Sequence, residues 1–185
     1  YIALNKAGTK CAVANYSSGT AAVYNIVKDG KLSDAFQVFK YGTAETPSHA
    51  HSAQFYKDDL FIADLGMNAV YQYQLKNNNY ELETPSIFNT TENTGPRHFD
   101  FTKEGKFIYI ITEYGNTIIS VKRTDTGFEQ IDLDSTLDDN FTGKSYCADI
   151  HISKDENFIY GSNRGENTIA VFKRNKTTGT IEKIQ

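Results

Sequence analysis

Asn116-Thr-Ile-Ile-Ser-Val121 is one of four copies of a sequence pattern in this 185-residue chain. The other copies are Gly19-Thr-Ala-Ala-Val-Tyr24, Asn68-Ala-Val-Tyr-Gln-Tyr73 and Asn167-Thr-Ile-Ala-Val-Phe172. Each copy is a turn residue followed by apolar, β-branched or aromatic residues, which is typical of a β-strand. The copies begin 49, 48 and 51 residues apart. A nearly constant spacing of this length predicts a repeated structural unit.

Three further strand-like runs accompany each copy. The run directly upstream covers residues 11–15, 60–63, 107–112 and 158–162. A run further upstream ends at Leu4, Phe55, Phe101 and Ile152. A weaker run follows each copy, at 36–40, 86–89, 130–133 and 180–184. Polar turns separate these runs, and no segment shows helical periodicity.

Four antiparallel strands in about 50 residues form the blade of a β-propeller. The sequence therefore predicts an all-β propeller of about four four-stranded antiparallel blades, forming one partial domain over residues 1–185. The predicted repeats are 1–40, 41–90, 91–134 and 135–185. A β-sandwich is the alternative, but sandwiches do not normally repeat at a fixed spacing. Propellers have four to eight blades, and we expect this array to belong to a larger ring.

Composition agrees with a β-rich protein and argues against several partners. The chain contains 12 Tyr, 12 Phe and no Trp, and its net charge is −4 without a basic run, so we expect no nucleic-acid partner. No apolar stretch approaches the ~20 residues of a membrane span. We interpret Cys11 and Cys147 as buried thiols rather than a disulfide. Tyr1 opens inside a strand-like run, so we expect the true N-terminus to be missing, and we expect a cytoplasmic protein.

Unusual charged residues gather on one predicted face. In an up-and-down blade, the connections alternate between two faces, so the turn before the first strand and the turn after the second share a face. Repeat alignment makes His51 equivalent to Arg97, and Glu113 equivalent to Arg164. The residues on this face are Ser48-His-Ala-His-Ser52, Gly95-Pro-Arg-His98, Glu113 and Arg164. The opposite turns carry ordinary Lys, Asp and Glu.

These residue types suit a small anionic substrate. Arg presents a planar fork to carboxylate or phosphate, and Glu or neutral His can accept a proton. A structural role is the alternative for each: Arg97 and Glu113 could simply pair, and His98 and His151 could be satisfied strand residues. His49 and His51 alternate like a metal pair, but no third ligand is nearby, so we expect no metal and no cofactor.

The combined motifs resemble the lactonase family of seven-bladed propellers. The strings that carry the resemblance are Asn15-Tyr-Ser-Ser-Gly-Thr20, Ser48-His-Ala-His-Ser-Ala-Gln-Phe55, Asp64-Leu-Gly, Gly95-Pro-Arg-His-Phe99, Glu113-Tyr-Gly-Asn116, Ala148-Asp-Ile-His-Ile-Ser-Lys-Asp155 and Tyr160-Gly-Ser-Asn-Arg-Gly165. That family includes propeller-type 6-phosphogluconolactonase and fungal carboxymuconate lactonising enzyme. The resemblance implies a ring of seven blades and about twice this length.

The resemblance also implies site residues and a reaction. The family's site matches His49 or His51, Arg97, Glu113 and Arg164. We expect hydrolysis of a sugar-acid lactone, 6-phosphogluconolactone above all, with His49, His51 or Glu113 as the base. Arg97, Arg164 and His98 would contact the substrate. A muconate-type lactonising enzyme on the same scaffold, or a non-enzymatic propeller that binds a protein or glycan, are the alternatives.

Overall fold

The computed structural model describes the backbone of residues 1–185 and the side chains of residues 1–82 and 87–185. Its strands form four antiparallel sheets, each made of four strands that are consecutive in the chain and adjacent in the sheet. This confirms the predicted all-β propeller fold of four-stranded antiparallel blades.

Each sheet takes its four strands from one continuous stretch of the chain. The first sheet contains β1 (Ile2–Leu4), β2 (Lys10–Asn15), β3 (Thr20–Ile26) and β4 (Leu32–Lys40). The second contains β5 (Ala50–Tyr56), β6 (Asp59–Asp64), β7 (Ala69–Lys76) and β8 (Asn79–Asn89). The third contains β9 (Pro96–Phe101), β10 (Phe107–Thr112), β11 (Thr117–Thr124) and β12 (Gly127–Ser135). The fourth contains β13 (Tyr146–Ile152), β14 (Phe158–Arg164), β15 (Ile169–Arg174) and β16 (Ile181–Lys183).

The fourth strand of a sheet differs most from the sequence-based expectation. The strands β4, β8 and β12 are longer than predicted, whereas β16 is shorter. These strands are only partly apolar, so their sequences give a weaker signal than those of the buried strands. A single 3₁₀ turn, Lys28–Gly30, connects β3 to β4, and within the described residues no helix is long and apolar enough to cross a membrane.

The residue that opens each repeated pattern has a specific backbone role. The φ angles of Gly19, Asn68, Asn116 and Asn167 are 63°, 50°, 51° and 61°. These values lie in the left-handed region, which glycine and asparagine adopt at lower cost than other residues. The turn residue therefore lets the chain reverse from the second strand of each sheet into the third.

The chain divides into two compact units, Tyr1–Thr90 and Thr91–Gln185, each holding two sheets. In the first unit, alanine and aliphatic side chains of β2, β3, β5 and β6 pack with Tyr73 and Tyr80 into one core. In the second unit, Phe107 and Tyr109 pack with side chains of β13, β14 and β15, including Phe172. Cys11 and Cys147 are buried and unbridged, as predicted.

Candidate functional site

A β-bulge recurs near the start of the first strand in three sheets. In β5 the extra residue, which the strand register skips, is His51, and in β9 it is Arg97. In β13 the extra residue lies at 148–149. A bulge re-aims a side chain relative to the regular pleat. The register therefore confirms that His51 and Arg97 occupy equivalent positions, as repeat alignment predicted.

The position after the second strand is the other recurrent site position. Glu113 directly follows β10 and Arg164 is the last residue of β14. Each lies three residues before a left-handed asparagine, Asn116 or Asn167. The first repeat has Tyr16 at the same distance from Gly19. This spacing was visible in the sequence, but Tyr16 was not predicted as a site residue because it carries no charge.

Two arginines of the second unit converge on one carboxylate. Arg97 donates from Nε to Glu113 Oε2 at 2.8 Å. Arg164 Nη2 lies 2.9 Å from the other oxygen, Oε1. The side chains of Arg97 and Glu113 are 16% and 14% exposed, whereas that of Arg164 is 50% exposed. We call Arg97, Glu113 and Arg164 the arginine–glutamate triad.

The backbone of Glu113 joins the two sheets of this unit. Its N–H donates to the carbonyl of Gly95 at 2.7 Å, and its carbonyl accepts from the N–H of Cys147 at 3.0 Å. These bonds connect the residue after β10 to the chain leading into β9 and to β13. The position of the triad carboxylate is therefore set by main-chain hydrogen bonds as well as by the two guanidinium groups.

Each arginine keeps unused donors. Arg97 Nη1 donates to the carbonyl of Ala148. Arg164 donates from Nε to the carbonyl of Tyr146 at 3.4 Å and from Nη2 to that of Cys147 at 3.1 Å. Within the part of the chain whose side chains are described, no partner contacts Arg97 Nη2 or Arg164 Nη1. The triad can therefore bind an anion without breaking its internal hydrogen bonds.

A second polar cluster lies beside the triad. His98 Nδ1 is 2.7 Å from Asp149 Oδ1, and His151 Nε2 is 3.2 Å from Asp149 Oδ2. Burial lowers the pKa of His98, the Arg97 charge lowers it further, and the hydrogen bond to Asp149 opposes both effects. Burial acts to raise the pKa of Asp149, but the hydrogen bonds from His98 and the Ile150 N–H dominate, so it lies below its usual value.

The two predicted histidines of the first unit share an aromatic neighbour. The His49 ring stacks on Tyr16 with centroids 4.5 Å apart and planes 13° apart, and its Nδ1 lies 3.2 Å from the Tyr16 carbonyl oxygen. The His51 ring meets the same tyrosine edge-on at 5.4 Å. An open cavity of about 320 Å³ borders His49 and is also lined by Ser17, Ser18 and Lys40. Tyr16 thus orients both candidate bases.

Asp64 anchors the chain that carries these histidines. It is fully buried at the end of β6. Its Oδ1 accepts from the N–H groups of His49 and Met67 at 2.8 and 3.1 Å, and its Oδ2 contacts the Ser48 hydroxyl. A buried carboxylate with several donors holds its neighbours rigidly. The string Asp64-Leu-Gly pointed to this position, although its role was not predicted.

The predicted site residues therefore fall into two groups. The second unit brings together Arg97, His98, Glu113 and Arg164, and the first unit brings together His49 and His51. Tyr16, Asp64 and Asp149 lie within the motifs quoted from the sequence, but none of them was predicted as a site residue. Among the described residues, no group of three His, Cys, Asp or Glu side chains is arranged to hold a metal ion.

Four-stranded antiparallel blades with a charged cluster at the strand ends define a β-propeller with a candidate anion site. The family model described as "Lactonase, 7-bladed beta-propeller" matches residues 1–185, and the chain belongs to this family. It is 32% identical over 182 residues to the 6-phosphogluconolactonase of Bacillus subtilis, covering 93% of this chain and 51% of that protein. The chain thus spans about half the length of the curated relatives it matches.

Two solved structures are similar to this chain over all or nearly all of its length. A periplasmic gluconolactonase of Pseudomonas aeruginosa matches all of this chain and 55% of its own, with a TM-score of 0.91 and 25% identity. A putative 6-phosphogluconolactonase of Bacteroides fragilis matches 98% of this chain and 55% of its own, with a TM-score of 0.86 and 30% identity. The resemblance inferred from the motifs is confirmed.

Proposed function

We propose that this protein hydrolyses a sugar-acid lactone, and that 6-phosphogluconolactone, which yields 6-phosphogluconate, is its substrate. The observation that carries the proposal is the convergence of Arg97 and Arg164 on Glu113, with one terminal guanidinium nitrogen of each arginine uncommitted. The names of the relatives in Bacillus subtilis and Bacteroides fragilis support the same substrate.

The arginines are suited to the anionic part of the substrate. A phosphate has several acceptor oxygens, and guanidinium N–H groups bind such oxygens through strong charge-assisted hydrogen bonds. Arg97 is largely buried, so its charge is less screened than that of an exposed residue. Arg164 is half-exposed and can adjust to an arriving ligand. We assign phosphate binding to Arg97 Nη2 and Arg164 Nη1.

Glu113 is better suited to orienting the arginines than to accepting a proton. Both of its oxygens already face guanidinium groups at 2.8 and 2.9 Å. A proton transferred to either oxygen would break one of these charge-assisted bonds. Of the three predicted bases, Glu113 therefore fits the role least, which leaves His49 and His51 as candidates.

The proposed reaction is a simple hydrolysis. The base removes a proton from water as the water oxygen attacks the lactone carbonyl carbon. The carbonyl oxygen becomes an oxyanion, which an N–H donor of arginine or histidine stabilises. When the tetrahedral intermediate collapses, the bond from the carbonyl carbon to the ring oxygen breaks, and that oxygen takes up the proton. The products are the open-chain acid and the regenerated base.

Hydrolysis of 6-phosphogluconolactone by the intact protein tests this proposal. Lactones hydrolyse spontaneously, so the rate without protein must be subtracted. Arg97→Ala should lower kcat/KM by at least ~30-fold, because losing a charge-assisted hydrogen bond costs ~2 kcal/mol. Lys122→Ala, which removes a surface charge outside the triad, is the matched control and should leave kcat/KM unchanged. Equal rates for the intact protein and the Arg97→Ala variant would overturn the role of Arg97.

The alternatives predict different outcomes. A muconate-type lactonising enzyme would act on a dicarboxylate and leave 6-phosphogluconolactone at its spontaneous rate. A non-enzymatic propeller would hydrolyse neither compound, and its rim charges would have no reason to converge. Within the second unit the three charges do converge, which favours an enzyme over a general interaction surface.

A further inference from the structure

His98 lies between a carboxylate and an arginine of the triad. Its Nδ1 is 2.7 Å from Asp149 Oδ1. Its Nε2 is 3.4 Å from Arg97 Nη1, the nitrogen that also donates to the Ala148 carbonyl. The side chain of His98 is 14% exposed. Asp149, His98, Arg97, Glu113 and Arg164 thus form one continuous chain of polar contacts.

The two neighbours of His98 determine which ring nitrogen carries its proton. An ionised aspartate only accepts hydrogen bonds, so Nδ1 must be the protonated nitrogen. An arginine only donates, so Nε2 must present its lone pair. The neutral Nδ1–H form is the only state of the ring that satisfies both contacts. Protonation of Nε2 would instead place a second cation against Arg97.

We propose that His98 is a positioning residue, which together with Asp149 fixes the orientation of the Arg97 guanidinium and does not itself contact the substrate. This inference rests on the proposed function, since it deepens the role of the same site. Sequence reasoning placed His98 among the substrate-binding residues. The geometry points to a different role because both ring nitrogens face protein groups, whereas Arg97 Nη2 remains available to a ligand.

The same aspartate provides an internal control. His151 Nε2 lies 3.2 Å from Asp149 Oδ2, but its side chain is 73% exposed and, within the described part of the chain, it does not contact an arginine of the triad. If Asp149 served only to bind histidines, the two residues would be interchangeable. If the contact to Arg97 matters, replacing His98 should raise KM, whereas replacing His151 should leave KM unchanged.

The first measurement needs no variant and no substrate. The ¹⁵N chemical shifts of the His98 ring, recorded by two-bond ¹H–¹⁵N correlation at pH 7.5 on the full-length protein, report which nitrogen is protonated. We expect a protonated Nδ1 and an unprotonated Nε2. A ring protonated at Nε2, alone or together with Nδ1, would overturn the proposal.

The second measurement uses conservative rescue. His98→Ala should raise KM for 6-phosphogluconolactone at least ~10-fold, because Arg97 loses its orienting partner. His98→Gln should retain KM within ~3-fold, since an amide can donate to Asp149 and accept from Arg97. His151→Ala should match the unaltered protein. A His98→Gln variant as impaired as His98→Ala would indicate direct substrate contact, and an unimpaired His98→Ala variant would remove the role altogether.

Failure of this inference is distinguishable from failure of the proposed function. If the unaltered protein does not accelerate lactone hydrolysis above the spontaneous rate, the function fails. In that case the protonation state of the His98 ring still shows whether its contacts to Asp149 and Arg97 have the form that the positioning role requires. If hydrolysis is observed and the Nδ1–H form is not, the function stands and the positioning role fails.

Discussion

At the scale of single residues, the environment of a side chain determines its chemistry more than its type does. Arg97 and Arg174 are both largely buried arginines of the second unit. Arg174 donates to the Tyr109 hydroxyl at 2.6 Å and to the Glu156 carbonyl at 3.0 Å, within the packed body of the unit. Arg97 instead donates to the Glu113 carboxylate at 2.8 Å, where Arg164 approaches the same group. The sequence could not separate these roles, because partners of Arg97 lie 16 and 51 residues away.

The environment also determines the chemistry of Cys147, and its burial leads to a prediction. It is fully buried next to residues that bond to the triad, and burial raises the pKa of its thiol to about 11. The thiolate is the reactive form, so Cys147 should resist alkylation at pH 7.5. Brief labelling with iodoacetamide followed by peptide mass mapping should find Cys147 unmodified in the folded protein and modified in urea. Rapid labelling of the folded protein would contradict the burial of Cys147.

At the scale of elements, the repeated pattern predicted the strands because each part of the pattern has a definite structural role. The turn residue supplies a left-handed φ angle, and the apolar run supplies a buried strand. The bulges in β5, β9 and β13 were not predictable, because a bulge depends on the pairing register between strands rather than on one strand's sequence. Consequently the sequence aligned His51 with Arg97 but did not predict that both lie at bulges.

Two glycines of the first sheet allow the turn requirement to be tested. Gly19 and Gly8 have nearly equal φ angles of 63° and 66°. A side chain at Gly19 would collide with the Ser48 backbone oxygen, whereas one at Gly8 would meet open space. Gly8→Ala should therefore lower the free energy of unfolding by only ~1 kcal/mol, and Gly19→Ala by clearly more. Urea denaturation measures both changes, and equal losses would show that the close approach to Ser48 has no energetic consequence.

At the scale of the whole molecule, the sequence predicted the fold class and the lactonase resemblance, and both are confirmed. The fold class was predicted from the repeat spacing, and the lactonase resemblance was predicted from the combination of short motifs. The roles within the site were harder to predict. Tyr16 lies at the repeat position of Glu113 and Arg164, and only the observed ring contacts show that it packs on both histidines.

The pH dependence of stability follows from the histidine cluster. Because burial holds the pKa of His98 below the usual value of 6.5, the unfolded chain binds a proton that the folded protein does not. The free energy of unfolding should therefore fall as the pH decreases below about 6.5. Urea denaturation at pH 8 and pH 5.5 should show a smaller loss in His98→Gln than in the unaltered protein. Identical losses in the two proteins would argue that His98 titrates normally.

The central claim is that the arginine–glutamate triad binds the anionic group of a lactone. The most direct test compares kcat/KM for 6-phosphogluconolactone with that for gluconolactone, in the full-length protein and in Arg97→Ala. The phosphate is the only anionic group of these two substrates, so the variant should lose at least ~10-fold of its preference for the phosphorylated lactone. An unchanged preference, whatever the absolute rates, would contradict the claim.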